Sequence, residues 1–149
     1  MKMIAQVFDG RLEKSPLSDY FFSRFNINNA VDIIKLFTTY RNNRTFVASF
    51  ARDITAYSLK KDLNALKILD EASNDIIKII RAVDSNIDLK NREIGIIGSL
   101  GVADPYKDII INKIKVYDNR FYVHESEMDS AFGSIIEAKT QIKKIYSVE

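Results

Sequence analysis

Glu93-Ile94-Gly95-Ile96-Ile97-Gly98-Ser99-Leu100-Gly101 is the stretch that decides the fold. Of its first six residues all after Glu93 are apolar, with β-branched Ile94, Ile96 and Ile97, over too short a run for an amphipathic helix, which predicts a buried strand. A helix start follows at Asp104-Pro105, an acidic cap before a proline at the first helical position, and Ile109, Ile110, Ile111 and Ile114 carry it to about Val116. Asn119-Arg120 reads as a turn and Phe121-Tyr122-Val123 as a second strand. Ser130 to Tyr146 reads as a last helix with Ile135, Ala138, Ile142 and Ile145 on one face. Strand, helix, strand, helix predicts two parallel strands joined by a right-handed crossover. Two short strands are not a self-sufficient sheet. More strands are therefore expected from the N-terminal segment or from polypeptide outside this chain.

Upstream the spacing is helical. A short element of open type runs from Ala5 toward a turn at Asp9-Gly10. Ser15-Pro16 starts a helix to about Arg24, because the Ser15 hydroxyl can accept from a free backbone N–H while proline presets φ for the first turn. Asn28-Asn29 restarts the pattern, which continues through Val31, Ile34, Leu36, Phe37 and Tyr40 to a polar turn at Arg41-Asn42-Asn43-Arg44. Phe46, Val47, Phe50, Ile54, Tyr57 and Ser58 mark one face of the next helix, with Arg52, Asp53, Lys60 and Lys61 on the other side. Asp62 stands at an N-cap. From about Leu63 to Val83 the residues Leu66, Leu69, Ala72, Ile76, Ile80 and Val83 repeat every three or four positions, either as the inner stripe of a core helix or as a partner-seeking coiled-coil seam. The chain is thus read as one domain of α/β class, mainly helical over 1–90 and strand-helix-strand-helix over 91–149, with a small parallel sheet flanked by helices.

Composition narrows the function classes. The 149 residues are 46% apolar and 28% charged, with 5 Gly and 2 Pro, which fits one folded domain and excludes a disordered or collagenous polymer. The 22 basic and 20 acidic side chains leave a net charge of +2, without the basic excess of a dedicated nucleic-acid binder, so no nucleic-acid partner is expected. Without cysteine this chain can form no disulfide, thiolate metal site, iron–sulfur ligation or cysteine nucleophile. The N-terminus lacks a secretory pattern, and the longest apolar stretches are about four residues against the ~18–20 that span a bilayer. A soluble, cytoplasmic protein without a membrane partner is expected.

Four of the five glycines fall in two places: Gly95, Gly98 and Gly101 bracket the strand-to-helix turn, and Gly133 opens the last helix. A strand, a glycine turn and a helix start also form the place where open α/β sheets bind nucleotides. Yet Gly95-x-x-Gly98-x-x-Gly101 is neither the G-x-G-x-x-G pattern nor a phosphate loop ending in G-K-[ST], so a purely structural turn is the other reading. His124, with Glu125 and Glu127, reads as a metal site or as a solvated strand end. Asp9, Asp104 and Asp129 read as general bases or as caps of turns. Arg41 and Arg44 could meet a phosphate or solvate a loop, and Lys139, Lys143 and Lys144 suit a solvated helix end.

The order of residues resembles the C-terminal part of the BadF/BadG/BcrA/BcrD ATPase and N-acetylglucosamine kinase family, within the actin, sugar kinase and Hsp70-like ATPase superfamily. The resemblance runs through Asp9-Gly10-Arg11, Leu17-Ser18-Asp19, Val47-Ala48-Ser49-Phe50-Ala51-Arg52-Asp53-Ile54 and Lys61 to Ala72. Ile94-Gly95-Ile96-Ile97-Gly98-Ser99-Leu100 is similar to the family's adenosine-binding strand and turn, with Ser99 in place of a second glycine. Ser130-Ala131-Phe132-Gly133-Ser134-Ile135-Ile136-Glu137-Ala138 resembles the closing segment beside the hinge, with Ser134 where alanine is usual.

The resemblance implies the helix-rich C-terminal subdomain of an RNase H-like, actin-like ATPase fold. It implies nucleotide binding at Gly98, Ser99, Leu100 and Gly101, and hinge or helix packing at Gly133 and Ser134. ATP with Mg2+ is implied as cofactor, shared with a missing half. The family's phosphate loops and catalytic aspartate lie in an N-terminal half without counterpart here, so no catalytic or metal-ligating residue is assigned and the chain alone is expected to be inactive. The implied partner is that N-terminal catalytic half or a second copy of the chain in a homodimer. The alternative is a non-catalytic helical interaction or oligomerisation domain that has lost nucleotide binding.

Overall fold

The computed structural model describes residues 1–40, 42–87, 91–98, 101, 103–125 and 130–146, the side chains of 125, 130–132 and 143–146 excepted. Seven helices and two strands follow in the order α1 (Lys2–Phe8), α2 (Pro16–Arg24), α3 (Ala30–Tyr40), α4 (Arg44–Leu59), α5 (Leu63–Asn86), β1 (Glu93–Ile96), α6 (Tyr106–Tyr117), β2 (Tyr122–Glu125) and α7 (Ser130–Tyr146). The class is α/β, mostly helical, with a parallel two-stranded sheet.

The first element, left open in type by the sequence, is a helix that buries Met3, Ile4 and Val7 and ends at Gly10 with φ +79°. Ser15 caps α2 as expected: its hydroxyl accepts from Ser18 N–H while the Ser18 hydroxyl accepts from Ser15 N–H at 2.8 Å. Asn29 does the same for α3, accepting from Val31 and Asp32 N–H, and Asn43 caps α4. α1 to α4 and the first half of α5 enclose one core, in which Leu17, Phe21, Leu36, Phe50 and Ala65 are buried. Phe21, Phe25, Phe46 and Phe50 interlock there with ring centroids 5.0–6.0 Å apart. The Arg24 guanidinium lies over Tyr20, Phe25 and Phe50 and is held by Asp53.

A second core joins the distal half of α5 to α6 and one face of the sheet, through Ile77, Ile96, Tyr106, Ile110, Ile114 and Phe121. The stripe of α5 therefore packs inside the chain, but it is rotated from the one read in the sequence. Ala65, Leu69, Ser73 and Ile77 face inward, while Ile76 and Val83 are exposed, because α4 and α6 approach α5 from different sides along its length. Val47 is likewise exposed on α4.

α6 begins one residue later than expected. Pro105 occupies the capping position and has no side-chain acceptor, so Asp104 does not cap the helix; it lies 3.8 Å from Lys107 instead.

The strands pair in parallel with Glu93 opposite Tyr122 and Ile96 opposite Glu125. β1 starts at Glu93 as expected but ends two residues short of Gly98, and β2 starts one residue after Phe121 and ends two residues beyond Val123. α6 covers the face of Ile94, Ile96 and Val123, whereas Glu93, Gly95, Tyr122 and His124 lie on the other face. No further strand is found among the described residues. No described helix is long and apolar enough to cross a membrane.

Candidate functional site

Parallel pairing places the exits of β1 and β2 at one end of the sheet, and the start of α6 follows the exit of β1. Gly98 turns the chain there with φ +89°, a left-handed conformation that side chains resist, and nothing lies within 4 Å of where its Cβ would be. Gly101 serves a different need. A Cβ on it would stand 3.0 Å from both the Ile97 carbonyl oxygen and Ile96 Cγ2, so a side chain there would press the returning chain against the end of β1. Ser99 and Leu100 lie outside the described residues. The positive φ of Gly98 and the close approach at Gly101 each suit glycine, and the space beside Gly98 is open.

Gly133 and Ser134 stand within α7, exposed, with nothing of this chain within 4 Å of a Cβ at Gly133. Together with Glu137, Ala138 and Gln141 they line a shallow, open depression.

Nothing at the sheet exits assembles a metal or acid–base centre among the described residues. His124 is exposed, its ring lying 3.4 Å from where a Cβ on Gly95 would stand and stacked 6.1 Å from Tyr122. No group of three or more His, Asp or Glu could hold a metal among the described residues, and Glu127 and Asp129 lie outside them. Asp9 accepts from the Arg11 guanidinium and N–H in its turn, which holds its carboxyl below the ordinary range. Arg44 is an exposed first residue of α4, and Arg41 lies outside the described residues.

The dense charge cluster sits at the opposite, entry end of the strands. There Arg92 bridges Asp84 of α5 at 2.9 Å and Asp118 at 3.2 Å beneath the Phe121 ring. Asp118 also binds Arg120, whose hydrogen bonds are the chief cause of its carboxyl being lowered to about 2. Hydrogen bonding to Asp84 raises the Tyr117 hydroxyl. This network joins α5, α6 and the sheet and has no path to the Gly98 turn.

Sequence reasoning missed the full role of Asp62. Read as the cap of α5, it does accept from Ala65 N–H at 2.9 Å, but it also accepts from Leu17 N–H at 2.9 Å and the Ser15 hydroxyl at 3.1 Å. One buried carboxylate therefore answers the positive ends of two helices, accepting from Leu17 N–H 45 residues away in sequence. The clue was two capping signals, at Ser15-Pro16 and at Asp62; only the fold brings them together.

Over 145 residues, 95% of this chain, the sequence is 23% identical to the N-acetylmuramic acid/N-acetylglucosamine kinase of Clostridium acetobutylicum. No family model and no solved structure matches the chain. The alignment covers 47% of that kinase, so the chain is similar to a sugar kinase about half of whose length it spans.

Proposed function

We propose that this chain is the nucleotide-side subdomain of an ATP-dependent amino-sugar kinase of actin-like, RNase H-like fold. The observation that carries the reading is the likeness to a sugar kinase along almost the whole chain. The parallel exits of β1 and β2 beside an open glycine turn agree with it.

In this reading adenosine lies against Gly98, Ser99, Leu100 and Gly101. Magnesium travels with the ATP phosphates, and phosphoryl transfer depends on positioning and charge stabilisation by groups in the complementary half. Further strands supplied by that half complete the sheet, and Gly133 and Ser134 pack at the hinge between the halves. The chain alone binds without catalysing.

Calorimetric titration with Mg-ATP and Mg-ADP tests this. Saturable binding in the ~0.1–1 mM range supports a working adenosine pocket. Gly98→Asn sharpens the result: asparagine tolerates positive φ, so its side chain should fill the open space and abolish binding with little change in Tm. No binding by the native chain selects the second reading, a non-catalytic interaction domain, which the unpartnered apolar faces of α5 and α7 favour.

A further inference from the structure

Lys14, in the loop before α2, and Lys60 and Lys61, in the turn between α4 and α5, border one cleft of about 310 Å³. Among the described residues no carboxylate pairs with any of the three ammonium groups. Lys60 lies instead over the Tyr57 ring, 5.2 Å from its centre. Two carboxylates also line the cleft, and they do not offset the lysines. Asp62 is buried and already accepts from Leu17 N–H, Ala65 N–H and the Ser15 hydroxyl, which leaves Glu13 as the exposed one. Lys61 stands at φ +61°, where its own N–H and that of Asp62 reach back to the Ser58 and Tyr57 carbonyls at the end of α4. Glycine is the residue this helix ending favours, yet the chain carries a lysine there beside a second lysine.

The rest of the wall is apolar, with the Tyr57 ring, Pro16 and Leu63, the last 75% exposed. Apolar surface with a few convergent polar groups is the make-up of a small-ligand site, and the cleft lies at the lower end of the size such sites have. Three ammonium groups against one exposed carboxylate leave an excess of two positive charges, which matches a phosphomonoester at neutral pH and not a monocarboxylate. Lysine meets phosphate as a point charge, so flexible side chains converging from two loops suffice. We propose that this cleft binds a small phosphomonoester, with the phosphate among Lys14, Lys60 and Lys61 and the body of the ligand against Tyr57 and Leu63. None of the lining residues belongs to the sheet, α6 or the Gly98 turn, so the site is separate from the adenosine contacts proposed above.

Phenyl phosphate is the probe, titrated into the isotope-labelled chain and followed by NMR. Saturable shifts at the backbone amides of Lys14, Lys60, Lys61 and Leu63 are expected, with Kd in the ~0.1–5 mM range. Affinity should rise as pH passes about 6, where a phosphomonoester takes its second charge. Lys61→Gly removes one ammonium and suits the positive φ, so binding should weaken about threefold to fivefold while Tm holds or rises. Lys60→Met keeps a chain over Tyr57 and should weaken binding to the same extent. Leu63→Ala should weaken phenyl phosphate and leave inorganic phosphate unchanged. Benzoate, with the same ring and one charge, should bind more weakly than phenyl phosphate. No saturable shift, shifts centred on other lysines such as Lys35 and Lys67 or on Gly98, equal binding of benzoate, or full affinity in Lys61→Gly would overturn the proposal. The probe carries no adenosine, so its failure and that of the kinase reading are told apart.

Discussion

The two cores of the chain are built differently. Around α1 to α4 the capping groups and the aromatic residues close on one another: Ser15, Ser18 and Asp62 satisfy two helix starts, and four phenylalanines fill the space between them. Around α6 one face of the sheet is covered, the other is not, and α5 and α7 run on with bare apolar side chains. The first region has the denser aromatic core, although Ile34, Leu59 and Leu63 are exposed on it, and the second leaves one face of its sheet exposed. Closure depends on whether every apolar stripe and every backbone edge finds its counterpart, and a two-stranded sheet with helix on one side does not meet that condition.

The largest expected effects ask whether the two regions melt as one. Leu17→Ala and Ile114→Ala each empty a fully buried site and should cost about 2–5 kcal/mol in urea unfolding. If α5 couples the cores, both substitutions shift a single transition followed by circular dichroism; two separate transitions would break the link between them.

Asp62→Ala should come next, at about 2–3 kcal/mol, since it strips the cap of α5 and leaves Leu17 N–H buried without its acceptor. Hydrogen exchange should then accelerate first in the opening turns of α2 and α5, not in α6.

In the second region Gly101→Ala should cost about 1–3 kcal/mol, because the new Cβ meets the Ile97 carbonyl oxygen at 3.0 Å. Gly98→Val should cost about 1–2 kcal/mol through positive φ alone. Equal Tm for Gly101→Ala and the native chain would show that this turn is looser than its geometry.

The smallest effect is in acid. Asp118 is held down to about 2 from an ordinary 3.8 by hydrogen bonds from Arg120, so its contribution is complete above 3.8 and is lost as pH falls through about 2. Arg120→Ala should return the carboxyl toward 3.8 in an NMR titration and remove that acid sensitivity.

Much of the secondary structure was legible because it rests on local physics. Ser15-Pro16, Asn43 and Asp62 start helices wherever the chain places them, and the run from Glu93 could only be extended. Less legible was which side of a long helix would face inward. Ile76 and Val83 satisfy the helical period as well as Ser73 and Ile77 do, yet Ser73 is buried and Ile76 is not. A serine enters the core here because its hydroxyl donates to the Asp70 carbonyl one turn earlier, which removes the penalty of burying it.

At the sheet exits the glycines stood out in the sequence, but not the reason for each. Gly98 is required by its own φ, a property of one residue; Gly101 is required by the carbonyl of Ile97, a neighbour that only the folded turn presents. The same division holds for the whole chain. Capping chemistry and apolar period follow from the sequence alone, since they involve neighbours within a few residues, and the strand-helix-strand order restricts the pairing to parallel because a helix must return the chain. The sharing of Asp62 between two helices, the rotation of the α5 stripe and the faces left bare depend on which surfaces meet across long separations, and only the tertiary structure decides them.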